Sequence, residues 1–321
     1  MSLDTLLPKL EDPKQAPSAT ELTALDHLGG AEFERFLSVW RSLSIQRRRD
    51  IIDLLVDMAE DNVELDFGSV FTTGLLDDDV QVRAESIKAL WEYEDDDLVE
   101  VLRRMLHDPE AIVRAEAALG LGRYLLRVEL SGEDQELARE VESALRSKID
   151  DESELVEVRG RALEAAGVRS EPWVHDAIEE AYGSGERRLT ISAVHAMGRN
   201  GDPAWLSVIL EEMESEDAEM RFEAVMAAGS LGDERAIPKL GELSLDADAE
   251  VQEAAITALG QIGGSTARET LLNIASDQSD PRLLEAVRDA LAEADFVEDP
   301  LGFRMYLDRS VAEDAEEEDE E

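Results

Sequence analysis

The chain contains no cysteine. That excludes disulfides, thiolate metal sites and cysteine nucleophiles, and it fits a reducing compartment. Lysine is nearly as scarce, five residues against 26 arginines. Aromatics make up only 5% of the chain, so a core must be built from Ala, Leu, Val and Ile. There is no run of 18 apolar residues, so no membrane span is expected. The opening "MSLDTLLPKLEDPKQAP" lacks the basic region followed by an apolar stretch that marks a secretory signal. A cytoplasmic location is the resulting expectation. Positive charge is the largest deficit: 77 acidic residues face 31 basic ones, for a formal net charge of −46. Such a surface repels phosphate backbones and anionic lipid, which disfavours nucleic acid and membranes as partners. It favours basic proteins and cations, and it also fits plain solubility or adaptation to high salt.

What is abundant is repetition. "MRFEAVMAAGSLGD" at 220–233 has the pattern of "LTISAVHAMGRNGD" at 189–202 and "VQEAAITALGQIGG" at 251–264. With the first apolar residue as position 0, the motif begins at Val82, Val113, Val158, Leu189, Met220, Val251 and Leu283. The steps are 31, 45, 31, 31, 31 and 32 residues, a regularity that marks a repeat array. Positions 0, 4, 5 and 8 share one helical face, and position +7 is Ala or Gly throughout. Position +9 is Gly in five units, Trp91 in the first and Ala292 in the last. Asp79, Asp217, Asp248 and Asp280 stand where N-caps belong, and Gly near +9 to +12 can end each helix. Second helices are expected at 202–215, 233–245 and 265–276, so each unit is a helical hairpin that buries its apolar face only by stacking.

The 45-residue step carries about 14 extra residues, expected in a longer outer helix near 133–148 and its connection. Before Val82 the pattern weakens, but "FERFLSVWRSL" and "QRRRDIIDLLVDMAED" still predict two amphipathic helices of a divergent first repeat. Residues 1–17, with Pro8, Pro13 and Pro17, read as a loose arm, and Ser18 with Glu21 as a capping box. The expected organisation is an N-terminal arm and leading helix at 1–30, a repeat array at 31–295, a capping segment at 296–312 and an acidic tail at 313–321, disordered by composition.

The capping Asp, "VRAEAALGLG" at 113–122 and the outer helix opening with Asp-Pro resemble HEAT repeats. They are similar above all to the short HEAT-like type named after phycobilisome lyases, over about residues 31–295. The resemblance implies an all-α fold, a right-handed α-solenoid of about eight hairpins, with the motif helices on its concave face. It also implies that Arg at +1, here Arg83, Arg114, Arg159 and Arg221, pairs with a turn acid of a neighbouring unit, a ladder interrupted at Thr190, Gln252 and Leu284. Solenoids of this kind include scaffolds, lyase subunits and metal enzymes, so fold alone names no function.

No chemistry stands out. HEAT-like hydroxylases hold two irons through His-Glu dipeptides, and none of His27, His107, His175 and His195 is followed by Glu. "GQIGGST" lacks a P-loop Lys, "YGSGE" is not a nucleophile elbow, and "DADAE" lacks the Gly and distal Glu of a calcium loop. The acids of "DDD" at 77–79 and 95–97 read as solvated loop residues. No cofactor, metal site or catalytic residue is therefore expected. The reading is a non-catalytic scaffold for a protein or peptide, with a subunit of a lyase-like or protein-modifying complex as the alternative. Positions +2 and +6 lie opposite the buried face of each motif helix. In the two central units they are Ile191 and His195, then Phe222 and Met226, which predicts a partner-binding patch with apolar anchors and an acidic rim.

Overall fold

A computed structural model describes residues 2–93 and 95–298 of the chain. The capping segment expected at 296–312 lies outside these beyond residue 298, as does the whole acidic tail at 313–321. The described residues form eighteen α-helices and three short 3-10 turns, with no strand among them. By its internal contacts the chain divides into two units, Met1–Ala165 and Ala166–Glu321.

The first unit contains α1 (Leu3–Glu11), α2 (Ala19–Leu22), α3 (Gly30–Trp40), α4 (Ile45–Asp61), α5 (Gly68–Gly74), α6 (Val80–Ala89), α7 (Asp96–Met105), α8 (Ala111–Ser131) and α9 (Gln135–Ile149), and α10 (Val156–Ala166) ends it. Its N-terminus is not a loose arm. Leu3, Leu6, Leu7 and Leu10, spaced as one helical stripe, are buried in α1, which packs on α3. Burying four leucines at about 2 kcal/mol each outweighs the ~3 kcal/mol cost of Pro8 inside the helix. At the expected capping box, the Glu21 carboxylate accepts from the Ser18 N–H at 3.0 Å. The long repeat step also differs from expectation. α8 continues through Gly120 and Gly122 to Ser131 because Leu121, Tyr124, Leu125 and Val128 extend its buried stripe. The extra length is thus shared between α8 and α9, and Gly132 at φ 73° ends α8.

The second unit contains α11 (Pro172–Tyr182), α12 (Arg187–Asn200), α13 (Leu206–Glu212), α14 (Ala218–Leu231), α15 (Ile237–Leu243), α16 (Ala249–Ile262), α17 (Gly264–Asp277) and α18 (Pro281–Glu298). The motif helices α12, α14, α16 and α18 pack side by side, and α11, α13, α15 and α17 each lie against the motif helix that follows. The packing rule is a glycine against an alanine. A Cβ added at Gly198 (+9) would stand 2.5 Å from the Cα of Ala227 (+7 of the next unit). The same approach recurs at Gly167 on Ala196 (3.0 Å) and Gly260 on Ala290 (2.9 Å). Small residues at both positions let the two backbones come into direct contact.

Repeat-to-repeat ties follow one scheme. Asp79, Asp217 and Asp248 accept N–H bonds from the first turns of α6, α14 and α16, as caps do. Arg83 forks onto Asp108 (2.9 and 2.9 Å), Arg114 onto Glu154 (2.9 and 2.6 Å) and Arg221 onto Asp246 (2.8 and 2.8 Å). Each also donates to the carbonyl six residues earlier, those of Asp77, Asp108 and Ser215. Arg159 donates to the Ile149 carbonyl at 3.0 Å, with no carboxylate fork among the described residues. Gln252 keeps the carbonyl bond, to Asp246 at 2.6 Å, without the carboxylate fork. Arg83, Arg114 and Arg221 are structural, each bound by a carbonyl of its own turn and a carboxylate of the next unit's turn.

The "DDD" acids at 77–79 are not all solvated. Asp77 is buried, accepting from Trp40 Nε1 and Arg48 Nη1, both at 2.9 Å. Asp79 is buried under Arg49, which forks onto it at 2.8 and 2.6 Å. Arg48 also pairs with Asp78 at 2.7 Å. A cluster of acids beside two arginines from α4 is neutralised by pairing, so desolvation becomes tolerable.

Candidate functional site

Within the second unit, positions 0, 4, 5 and 8 of α12 and α14 are buried as the periodicity predicts: Leu189, Ala193, Val194 and Met197, then Met220, Ala224, Val225 and Ala228. The predicted patch does not survive whole. Ile191 is fully buried, at 0% exposure, and cannot line a surface. The reason is geometric. A motif helix is flanked by other motif helices as well as backed by second helices, so its apolar arc is wider than positions 0, 4 and 8 require. Ser192 at +3 is buried with Ile191.

His195, Phe222 and Met226 remain, all half-buried. The His195 Nδ1 lies 3.1 Å from the Glu223 carboxylate, which joins α12 to α14 across the ridge. Glu223 was absent from the sequence expectation, yet a signal existed. Position +6 of one unit faces +3 of the next, 28 residues on, when units step by 31. Lys88 and Glu116 obey the same rule in the first unit, at 3.8 Å. On α16 the ridge continues as Glu253 and Thr257, and Glu219 stands exposed at the start of α14.

The corresponding ridge of the first unit is ionic. Lys88 pairs with Glu85 at 3.0 Å, and Arg161 with Glu157 at 3.1 Å and Glu164 at 2.8 Å. Burial pushes the Glu116 carboxyl above the ordinary carboxylate range, and Lys88 and Arg161 partly offset it. Two neighbouring stretches of one repeat pattern thus present different chemistry: salt bridges in the first unit, an aromatic ring, a thioether and an imidazole–carboxylate pair in the second. Among the described residues, no three His, Asp or Glu side chains converge as metal ligands. No described helix is long and apolar enough to cross a membrane.

Comparison with known proteins agrees with this architecture. A family profile described as HEAT repeats matches residues 69–152, 176–249 and 206–292, more than half of the chain. No curated protein matches in sequence. Among solved structures, the complex of CpcE and CpcF of phycocyanin lyase from Nostoc sp. PCC7120 is similar at a TM-score of 0.53 and 17% identity, over 84% of this chain and 97% of that one. Human deoxyhypusine hydroxylase is 20% identical over 91% of this chain and 96% of its own, at a TM-score of 0.32. Importin beta is 12% identical over 91% of this chain and 46% of its own, at a TM-score of 0.45. At 17% identity the likeness to the lyase complex is one of fold.

Proposed function

The chain belongs to the HEAT-repeat family, and from that premise we propose that it is a non-catalytic scaffold that holds a protein or peptide along the motif-helix ridge of its second unit. One observation carries the reading. Phe222 and Met226 stay partly exposed on α14, whereas Leu189, Ile191, Val194 and Met197 of α12 and Val251, Ile256 and Leu259 of α16 are buried. An aromatic ring and an adaptable thioether, side by side on a rigid helix, are suited to anchoring a partner side chain. Glu219, Glu223 and Glu253 form an acidic margin, which favours a basic partner. The His195–Glu223 pair holds the margin in place.

The test is the double variant Phe222→Ala/Met226→Ala, used as bait against a lysate of the source organism. Partner capture is lost while the melting temperature stays within a few degrees of wild type. A large loss of stability with capture unchanged would overturn the reading, because it would assign both side chains to the core. A second reading, a subunit of a lyase-like or protein-modifying complex, is favoured by the likeness to the CpcE–CpcF complex, which extends over most of both chains. It is distinguished by the identity of what is captured: a second helical-repeat subunit rather than a short basic segment.

A further inference from the structure

The first unit departs from the glycine–alanine rule at one place. Position +9 of α6 is Trp91, where the other internal units carry Gly. An indole cannot enter an approach as close as that of Gly122 to Ala165, where even an added Cβ would stand 2.9 Å from the Ala165 Cα. The helix stops instead. α6 is 10 residues long against 14 for α12, α14 and α16, and the Trp91 N–H closes a turn onto the Lys88 carbonyl at 3.0 Å. This leaves the indole 65% exposed. The departure puts the largest side chain of the repertoire in water, so packing does not explain it.

Beside Trp91 lies a cleft of about 450 Å³ between α4, α5 and the end of α6. Its apolar lining includes Val56, Leu65 and Phe71, with Val63, 80% exposed, on its edge. Tyr93 forms a fixed wall: its hydroxyl donates to Asp66 at 2.9 Å and accepts from the Phe67 N–H at 3.2 Å. The margin is acidic. Glu60, Glu85 and Glu92 line it against one cation, Lys88, which already pairs with Glu85.

We infer that this cleft is a second docking site, separate from the second-unit ridge, for a basic polypeptide segment that presents an apolar side chain flanked by Arg or Lys. The apolar side chain fills the cleft against Val56 and Leu65, both partly exposed, above the buried Phe71. The flanking cation stacks on the Trp91 face, an interaction that strengthens as the site loses water, and meets the margin carboxylates. A second copy of the chain is the poorer fit, because each copy carries a net charge of −46 and would bring an acidic margin against an acidic surface.

The experiment measures binding of fluorescein-labelled synthetic peptides to the full-length protein by anisotropy at about 0.15 M salt, where contacts beyond ~8 Å are screened. Three amphipathic peptides of equal length are compared: Arg with Leu, Arg with Ser in place of Leu, and Glu with Leu. The Arg–Leu peptide binds tightest, and Trp91→Ala weakens it at least tenfold (about 1.4 kcal/mol). Trp91→Phe recovers part of the loss. Phe222→Ala/Met226→Ala leaves binding to this cleft unchanged, so failure here is separate from failure of the ridge. Equal affinity of Trp91→Ala and wild type for the Arg–Leu peptide overturns the proposal. So does equal affinity of wild type for the Arg–Ser peptide, which would reduce the binding to charge alone. Sedimentation that shows a wild-type dimer dissociated by Trp91→Ala also overturns it, by assigning the cleft to a second copy.

Discussion

In the second unit, Gly198 and Gly260 each bring one motif helix onto an alanine of the next, so the array is held by backbone approach. In the first unit only Gly122 does this; Trp91 stands at the preceding place, and Gly120 rather than an alanine occupies +7 of α8. What replaces close packing there is ionic and aromatic. Arg48 and Trp40 hold buried Asp77, Arg49 holds Asp79, and Arg114 with Lys148 holds Glu154. The comparison teaches that one helical-hairpin plan tolerates two kinds of cement. Shape complementarity demands small residues at fixed positions. Ion pairing releases those positions, and the first unit uses the freedom to expose an indole beside a cleft.

Four substitutions would break or sharpen this contrast. The largest effect is expected in the first unit. Arg48→Met leaves the Asp77 carboxylate buried with a cation removed, a loss of about 3–5 kcal/mol in chemical denaturation. Burial already pushes the Asp77 carboxyl above its ordinary range. A raised acid pKa means the folded state gains stability when protonated, so the defect shrinks as pH falls and grows as pH rises. A defect independent of pH would show that the tie is packing rather than charge.

A smaller effect separates the two glycine environments. Gly198→Ala drives a methyl toward the Ala227 backbone at 2.5 Å, where nothing flexible can yield, and should cost about 2–3 kcal/mol. Gly120→Ala meets only the ends of Leu102 (3.2 Å) and Ile87 (3.4 Å), which can give. There the helix-propensity gain of ~1 kcal/mol should leave stability level or higher. If both variants behave alike in thermal melts, the distinction between the units fails.

The smallest effect concerns the N-terminal segment of the first unit. His27 adopts a left-handed backbone at φ 48°, its N–H bonds the Asp66 carbonyl at 2.8 Å and its ring lies 2.7 Å from Asp26. The Asp26 hydrogen bond and charge, with Asp66 nearby, raise the imidazole above its ordinary value. A raised histidine stabilises the fold fully below its unfolded value and loses that contribution as pH rises through the folded one. Wild-type melting temperature should therefore dip slightly as pH rises across the histidine range. His27→Asn, which accepts the left-handed backbone, should remove the dip and little else.

Much of this architecture was legible beforehand because it is periodic. A 31-residue step, a capping Asp, a small residue at +7 and Gly at +9 are local requirements of a helix and its neighbour, and each leaves its mark in the same place every time. Where a segment occurs once, the marks mislead. The prolines of residues 1–17 read as breakers, although the stripe of Leu3, Leu6, Leu7 and Leu10 decides the matter. α5, the short helix beside α6, has no repeat signature and was not anticipated.

By itself, then, the sequence determined the class of fold and the register of the motif helices, because those depend on contacts between equivalent positions in adjacent units; the ladder came from the family resemblance and held at Arg83, Arg114 and Arg221 but not at Arg159. Only the tertiary structure decided which side chains reach solvent. Ile191 and Phe222 occupy the same register position, yet one is core and the other half-exposed. Asp77 and Asp78 are neighbours in one acidic run, yet only Asp77 is buried. Exposure depends on how closely three or four helices approach a given point, a distance set jointly by side chains far apart in the chain, and no periodicity within one helix encodes it.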